Sequence, residues 1–314
     1  MIGKIQTVIS DPQFAFRVAA RRLNRRYHNV SRKDELYSRG CDVLAEDWDN
    51  LVILDACRYD VFERCSDIPG RLEHRRARGT MTLEFLESNF ADRQATDAVY
   101  VTANPMFYRH ANRLNTSFHS VINVWQDSGW DRDTNTVLPE TTTEYAEQAA
   151  EQFPDKRLIV HYIQPHFPFI NAEAELRARS PDPAAEGKDL WSEIMFDRID
   201  VSDAAVWKLY ADNLKTTLPH VEDLLENLIG KTVITSDHGN MIGERSFPIP
   251  IKEYGHPAGI YSEELTKVPW LIHKSGERKT ITDEINGSET EAVGQKKAKE
   301  RLRQLGYLPD GEGV

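Results

Sequence analysis

Asn50-Leu-Val-Ile-Leu-Asp55 and Lys231-Thr-Val-Ile-Thr-Ser-Asp237-His238-Gly239 each run an apolar, β-type stretch straight into an aspartate, and the second adds a histidine at once. Such runs suit strands covered on both faces, which points to a parallel sheet flanked by helices. In sheets of that kind the reactive site lies beyond the carboxyl ends of the strands. Two carboxylates and an imidazole arriving there together can hold a divalent cation, with Zn²⁺ or Mn²⁺ favoured by the ligand types and Mg²⁺ or Ca²⁺ as alternatives. The other residues gathered at strand ends and a helix start are His161, His166, His256 and either Thr80 or Thr82. A threonine hydroxyl is inert at neutral pH, but a coordinated cation lowers its pKa, and a helix N-terminus stabilises both the alkoxide and a phosphate near it. The set suits nucleophilic attack on a phosphate or sulfate ester.

The elements that must position these residues alternate along the chain. A strand at about 51–55 precedes a helix from Arg58 to Cys65, and Gly79-Thr-Met-Thr-Leu-Glu reads as a turn into a helix with Thr80 or Thr82 as N-cap. Strands follow at 98–102 and 157–163, the latter closing on Gln164-Pro-His166-Phe-Pro. Helices are expected over 138–153 and 206–228, an inserted excursion over 171–200, an irregular proline-rich loop over 244–257, a late strand over 268–273 and a short helix over 295–305. Strand and helix alternation is the mark of an α/β domain, here a doubly wound, mostly parallel sheet sandwiched by helices. The expected division is a basic helical arm at 1–45 and a catalytic domain at 46–310.

Composition narrows the function. A formal net charge of −11 on 314 residues excludes a general nucleic-acid binder, so an anionic substrate must be drawn in locally. Three irregularly placed cysteines, Cys41, Cys57 and Cys65, fit reduced thiols rather than a disulfide framework. No apolar run is long enough to span a bilayer or act as a signal peptide, and a cytoplasmic location is expected. The first 33 residues carry eight Lys or Arg against one Asp, a local +7 that leaves −18 on the rest. The segment 14–27 reads as an amphipathic helix, with Phe14 and Val18, and Ala15, Ala19 and Arg22, at helical spacing. It can dock on the acidic body of its own chain, the favoured reading, or rest on an anionic membrane surface.

Several motifs in order carry a family resemblance. Asp55-Ala-Cys-Arg58-Tyr-Asp60, His161-Tyr-Ile-Gln-Pro-His166-Phe-Pro, Ser236-Asp237-His238-Gly239, Val268-Pro269 and the closing Arg301-Leu-Arg-Gln-Leu-Gly-Tyr-Leu308 resemble the sulfatase-like branch of the alkaline phosphatase superfamily over about residues 50–308. The resemblance implies that Asp55, Asp237 and His238 bind the metal, with the hydroxyl of a threonine nucleophile as a further ligand. Glu84-Phe85 stands after Thr80 as in lipoteichoic acid synthase-like transferases and favours Thr80, whereas Thr82-Leu83 placed against the Thr-Leu-Pro-Ser of other relatives favours Thr82. The balance leans slightly to Thr80. His166 and His256 then face the substrate oxyanion or leaving group, or hold a second metal.

Departures from the family pattern sharpen the expectation. No Cys/Ser-x-Pro-x-Arg motif is present for formylglycine chemistry, and Gln164 replaces an acid, so one ion is expected rather than two and phosphate esters rather than sulfate esters. Arg58 with Asp60 reads as a structural ion pair under the site, and His161 as a core histidine or a neighbour of the substrate. The expected activity is that of a hydrolase or transferase on a phosphorylated or sulfated small molecule or glycan precursor. The rival is a catalytically idle relative that binds a glycan, a lipid head group or a partner enzyme.

Overall fold

The computed structural model describes residues 12–31, 39–172, 190–283 and 295–307. The buried core is built on a seven-stranded sheet. In chain order its strands are β1 (Asn50–Leu54), β2 (Arg71–Arg76), β3 (Gln94–Thr102), β4 (Ser117–Asn123), β5 (Arg157–Tyr162), β6 (Gly230–Thr235) and, last, β9 (Lys267–Ser275). They lie side by side in the order β2-β9-β6-β1-β5-β3-β4. Every pairing among β6, β1, β5, β3 and β4 is parallel, and β9 alone runs against its neighbours. All five residues of β1 are buried, as an apolar strand in the middle of a covered sheet requires.

Register decides what the central strands deliver. Ile53 of β1 lies beside Thr235 of β6 and His161 of β5, and His161 lies beside Thr102 of β3. Two residues further on, Asp55, Asp237 and Asn104 therefore emerge at one level from three strands, with His161 just below. The turn after β1 is forced: Ala56 has a φ of 58°, a conformation a residue with a Cβ seldom adopts. It is held there by the Asp237 carboxylate, which accepts from Ala56 N–H, and by Ser236 Oγ, which accepts from Cys57 N–H.

Helices pack around this sheet: α1 (Pro12–Ser31), α2 (Tyr59–Cys65), α3 (Thr82–Phe90), α4 (Met106–Leu114), α5 (Pro139–Gln152), α6 (Leu190–Met195), α7 (Asp203–Asn227), α8 (Glu263–Thr266) and α9 (Gln295–Gln304). Ser202 caps α7 by accepting from Ala205 N–H. Three differences from the sequence reading stand out. Strands β2 and β4 and helix α4 are elements the sequence reading did not name. The loop expected at 244–257 carries most of an antiparallel hairpin of β7 (Met241–Arg245) and β8 (Lys252–Gly255), whose register shifts between Ile242 and Arg245. Most of the expected excursion, 173–189, lies outside the described residues.

Helix α1 packs on its own chain through Ala20, Asn24 and His28, all buried at four-residue spacing. Val18 is only part-buried and does not belong to that row, and the side chain of Phe14 lies outside the described residues. Asn24 is the anchor, donating to Ser246 Oγ and Ile249 O and accepting from Ile249 N–H, each at 2.8 Å. Arg21 pairs with the fully buried Glu253 at 2.8 Å. Asn24→Leu keeps the branched shape but removes three hydrogen bonds, at about 1 kcal/mol apiece. Trypsin should then cut at Arg17 to Arg26 far faster than in the parent chain. An unchanged digestion pattern by mass spectrometry would count against this anchor.

Candidate metal centre and nucleophile

At the carboxyl ends of β1, β5 and β6 a set of polar atoms converges with nothing between them. Asp55 Oδ1, His161 Nε2 and Asp237 Oδ2 are each buried without a hydrogen-bond partner. Ligand atoms of Asp55, His161 and Asp237 all lie within 4.8 Å of one another. His238 Nε2 joins them, 3.2 Å from Asp237 Oδ2 and 3.7 Å from Asp55 Oδ1. Because His238 Nδ1 faces the Gly239 carbonyl at 2.7 Å, an acceptor only, Nδ1 carries the proton and Nε2 turns a lone pair inward.

Acceptors crowded around one buried point repel one another unless a cation lies between them. Burial and the facing Asp237 carboxylate push the Asp55 carboxyl well above its usual range. Burial also presses Asp237 upward, yet His238, His161 and the Ala56 N–H outweigh it and its carboxyl is lowered. Burial lowers His161 to about 4, so its ring is neutral and available as a ligand at neutral pH. These four side chains fit a divalent cation, and His161 thereby takes a place in the ligand group rather than beyond it. His161 Nδ1 is fixed from behind by the Tyr100 hydroxyl at 2.8 Å.

The two threonines part company. Thr80 Oγ1 donates to Glu84 Oε2 at 2.9 Å, lies 3.3 Å from Pro257 O and accepts from Gly259 N–H at 3.0 Å. Glu84 also accepts from the Thr80 N–H, so this hydroxyl fastens the entry of α3 to the loop that carries His256. Thr82, the first residue of α3, is fully buried with its Oγ1 at 3.3 Å from His238 Nε2, 3.5 Å from Asp55 Oδ2 and 3.0 Å from the Tyr307 hydroxyl. The structure brings Thr82 to the cluster and leaves Thr80 outside it. Met81, not a threonine, occupies the N-cap position.

Two residues of this site have no place in the sequence reading. Asn104 Nδ2 donates to Asp55 Oδ2 at 2.7 Å and to the Tyr307 oxygen at 2.9 Å. Tyr307 in turn donates to Asp55 Oδ2 at 2.8 Å, which leaves its oxygen to accept from Thr82. Asn104 follows the same strand-end logic as Asp55 and was legible two residues past the strand at 98–102. Tyr307 is 252 residues from Asp55, and only the closing motif pointed near it.

His166 and His256 line the remaining side. His166 Nδ1 donates to the Phe167 carbonyl at 2.5 Å, and its Nε2 meets His256 Nε2 at 2.8 Å. Burial holds His166 at about 4 and holds His256 well below the usual range. Both rings are neutral at neutral pH, so His256 Nε2–H is the donor in that bond. His256 is partly exposed, whereas Asp55, Thr82, His161, Asp237 and His238 are fully buried. Arg58 pairs with Asp60 at 2.8 Å and 3.0 Å, reaches Asn240 O at 3.1 Å and also bonds Glu244. It ties the loop after Asp55 to the one after His238 from beneath. Gln164 spends its amide on Val137 O at 2.9 Å.

Neither a protein-family model nor a curated protein sequence matches the chain. Among solved structures it is similar to the soluble domain of lipooligosaccharide phosphoethanolamine transferase A from Neisseria meningitidis, at 12% identity and a TM-score of 0.45, covering 72% of this chain and 76% of that one. The C-terminal periplasmic domain of a phosphoethanolamine transferase from Campylobacter jejuni is similar at 15% identity and a TM-score of 0.45, over 71% and 78% of the two chains. A candidate sulfatase from Bacteroides fragilis follows at 18% identity and a TM-score of 0.25, over 46% and 32%. These neighbours are phosphoethanolamine transferases and sulfatases, of the alkaline phosphatase superfamily in its sulfatase-like branch. At identities this low the likeness is one of fold, and the chemistry follows from the site's own geometry.

The expected cytoplasmic location does not stand. The Campylobacter jejuni neighbour is a periplasmic domain. No helix of the described residues is long and apolar enough to cross a membrane, but that property and a low cysteine count do not report a compartment.

Proposed function

We propose that the chain is a metal-dependent hydrolase or transferase of phosphate esters, with sulfate esters second, and that Thr82 is its nucleophile. The observation that carries this reading is that Thr82 Oγ1 lies 3.3 Å from His238 Nε2 and 3.5 Å from Asp55 Oδ2, beside the buried Asp55 Oδ1, His161 Nε2 and Asp237 Oδ2, which have no hydrogen-bond partner among the described residues. Asp55, His161, Asp237 and His238 would hold the ion, and one ion accounts for the orphaned atoms. When bound there, a divalent cation supplies Lewis acidity to the ester oxygens and favours the alkoxide of an adjacent hydroxyl.

The residues then have distinct tasks. Tyr307 and Asp55 take up the hydrogen of the Thr82 hydroxyl and aim an oxygen lone pair away from themselves. Thr82 Oγ1 bonds to phosphorus as the bond to the leaving oxygen breaks, and that oxygen takes the Nε2 proton of His256, the least buried residue of the group. His166 Nε2, which accepts that proton's hydrogen bond, keeps the ring in place beforehand. Water or an alcohol then displaces Thr82 and gives its own proton to His256, while the departing Thr82 oxygen regains its proton from Asp55 through Tyr307, giving hydrolysis or transfer. A phosphorylated or sulfated small molecule or glycan precursor fits such a site.

The deciding experiment is metal content of protein purified without chelator, paired with cleavage of nitrophenyl phosphate, phosphodiester and sulfate with and without added Zn²⁺ or Mn²⁺. Near-stoichiometric metal with metal-dependent cleavage is expected. Tight metal with no turnover on any ester, with or without an alcohol acceptor, would instead describe an idle binding protein. Absence of metal under every condition would end the proposal.

Tyr307→Phe supplies a finer check. The variant keeps the ring stacked on His166, centroids 4.8 Å apart at 11°, and loses only the hydroxyl. The hydroxyl makes three hydrogen bonds, of which the one to Thr82, at about 1 kcal/mol, bears on the nucleophile and predicts roughly a five-fold lower kcat with bound metal unchanged. A fall in metal occupancy instead would show that Tyr307 acts through Asp55 and not through Thr82.

A further inference from the structure

Six large hydrophobic side chains stand out as exposed among the described residues: Phe16, Leu23, Tyr27, Val30, Phe247 and Ile229. Five of them gather in one place. Phe16, Leu23, Tyr27 and Val30 follow one another at intervals of seven, four and three residues, which keeps them on one side of α1. That row lies about a quarter-turn round the helix from the inner row of Ala20, Asn24 and His28. Phe247, 56% exposed, meets the Tyr27 ring edge-on with centroids 5.4 Å apart and extends the patch onto the loop between β7 and β8. Val30 is 80% exposed and Phe16 59%, so these are whole side chains in solvent rather than edges of a core. Arg22 and Arg26, both exposed, run beside the apolar row.

Charge narrows what can cover such a face. The arm is locally +7 on a body of −18. A second copy would bring two basic rows together, and its body repels the first. A free polyanion would satisfy the arginines and leave Phe16, Leu23 and Val30 in water. An anionic bilayer offers both a phosphate layer and hydrocarbon beneath it, with the sharp polarity step that an apolar row edged by arginines matches.

We propose that α1 is an interfacial membrane helix. Phe16, Leu23, Tyr27, Val30 and Phe247 enter the acyl boundary of an anionic bilayer, while Arg22 and Arg26 rest against lipid phosphates. The inner row of the helix stays docked through Asn24 and the Arg21–Glu253 pair, so no undocking is needed. Arg25 and Asn29 lie against Gly259, three residues from His256, close enough that a side chain there would fall 3.1 Å from Arg25. The bilayer is thereby brought to the side of the molecule that carries the His256 loop. The inference does not depend on the site being catalytic.

The test is co-sedimentation of the full chain with vesicles of phosphatidylcholine, with and without phosphatidylglycerol. Binding is expected to the anionic vesicles only, and to fall as salt screens the arginines. Arg22→Gln with Arg26→Gln should weaken partitioning by about thirty-fold, the factor for two basic residues at an anionic surface. Leu23→Ser with Val30→Ser should weaken it by at least about ten-fold. All four positions are exposed, so thermal melts should match the parent chain. Asp237→Asn should bind vesicles as the parent does, which separates this test from that of the active site. Equal binding to neutral vesicles, no binding to either, or full binding by the Leu23/Val30 variant would overturn the proposal. So would a dimer in sedimentation velocity that the Leu23/Val30 variant breaks without vesicle binding, which would assign the face to a second copy.

Discussion

Asp237→Asn is expected to abolish metal uptake and ester cleavage while making the metal-free protein more stable. In the absence of an ion, the Asp55 and Asp237 carboxylates are fully buried, face one another, and leave Oδ1 and Oδ2 respectively unsatisfied. Asparagine keeps the oxygen that accepts from Ala56 N–H at 3.0 Å and His238 N–H at 2.9 Å. Its amide nitrogen then sits where a donor can reach His238 Nε2, 3.2 Å from the oxygen it replaces. Removing one of two facing buried carboxylates relieves the repulsion that holds Asp55 above its usual range, so the variant should melt higher than the parent in chelator. With metal the order reverses. An ion at a hundred times its dissociation constant stabilises the parent by about 2.7 kcal/mol and the variant not at all. Calorimetry with chelator and with Zn²⁺ or Mn²⁺ reads both effects. A variant that melts lower in chelator and still responds to metal would place the ion elsewhere.

Thr82→Val and Thr80→Val should fail in opposite ways. Valine is close to Thr82 in volume and removes the hydroxyl that lies 3.3 Å from His238 Nε2 and 3.5 Å from Asp55 Oδ2. Turnover should fall by at least about 10³-fold, as when a nucleophile is deleted, with folding and metal content preserved. Thr80→Val leaves the Glu84 carboxylate and the Gly259 N–H without their partner and unfastens the start of α3 from the loop of His256. About 1–3 kcal/mol of stability should go, with the chemical step within a few-fold of the parent. Turnover by Thr82→Val together with an inert but folded, metal-loaded Thr80→Val would exchange the two roles.

The parts of the fold that were legible in the sequence are those where a local pattern and burial say the same thing. Strand β1 is apolar at nearly every position and buried at all of them, and β6 repeats the signal with Asp237 at its end. Strand β2, Arg-Leu-Glu-His-Arg-Arg, sits at the sheet edge with an exposed first residue, so its composition carries no strand pattern to read. The β7–β8 hairpin is short and its register shifts between Ile242 and Arg245, which erases the alternation that would have announced it.

The amino-acid order alone fixed which residues could do chemistry: acids and histidines directly after apolar runs, a pair of threonines at a helix start, and a basic arm on an acidic chain. Those are properties of neighbours in sequence, and local patterning records them. The tertiary structure decided which of them meet. Parallel register set Asp55 and Asp237 at one level and turned His161 toward them, though 76 residues separate His161 from Asp237. The choice between Thr80 and Thr82 rested on Glu84, Pro257 and Gly259 claiming one hydroxyl and leaving the other. The outward face of α1 was likewise set by what Ser246 and Ile249 offered Asn24, and not by the helix's own period. Contacts between residues about 150–250 positions apart depend on where the chain returns, and a one-dimensional pattern holds no record of that return.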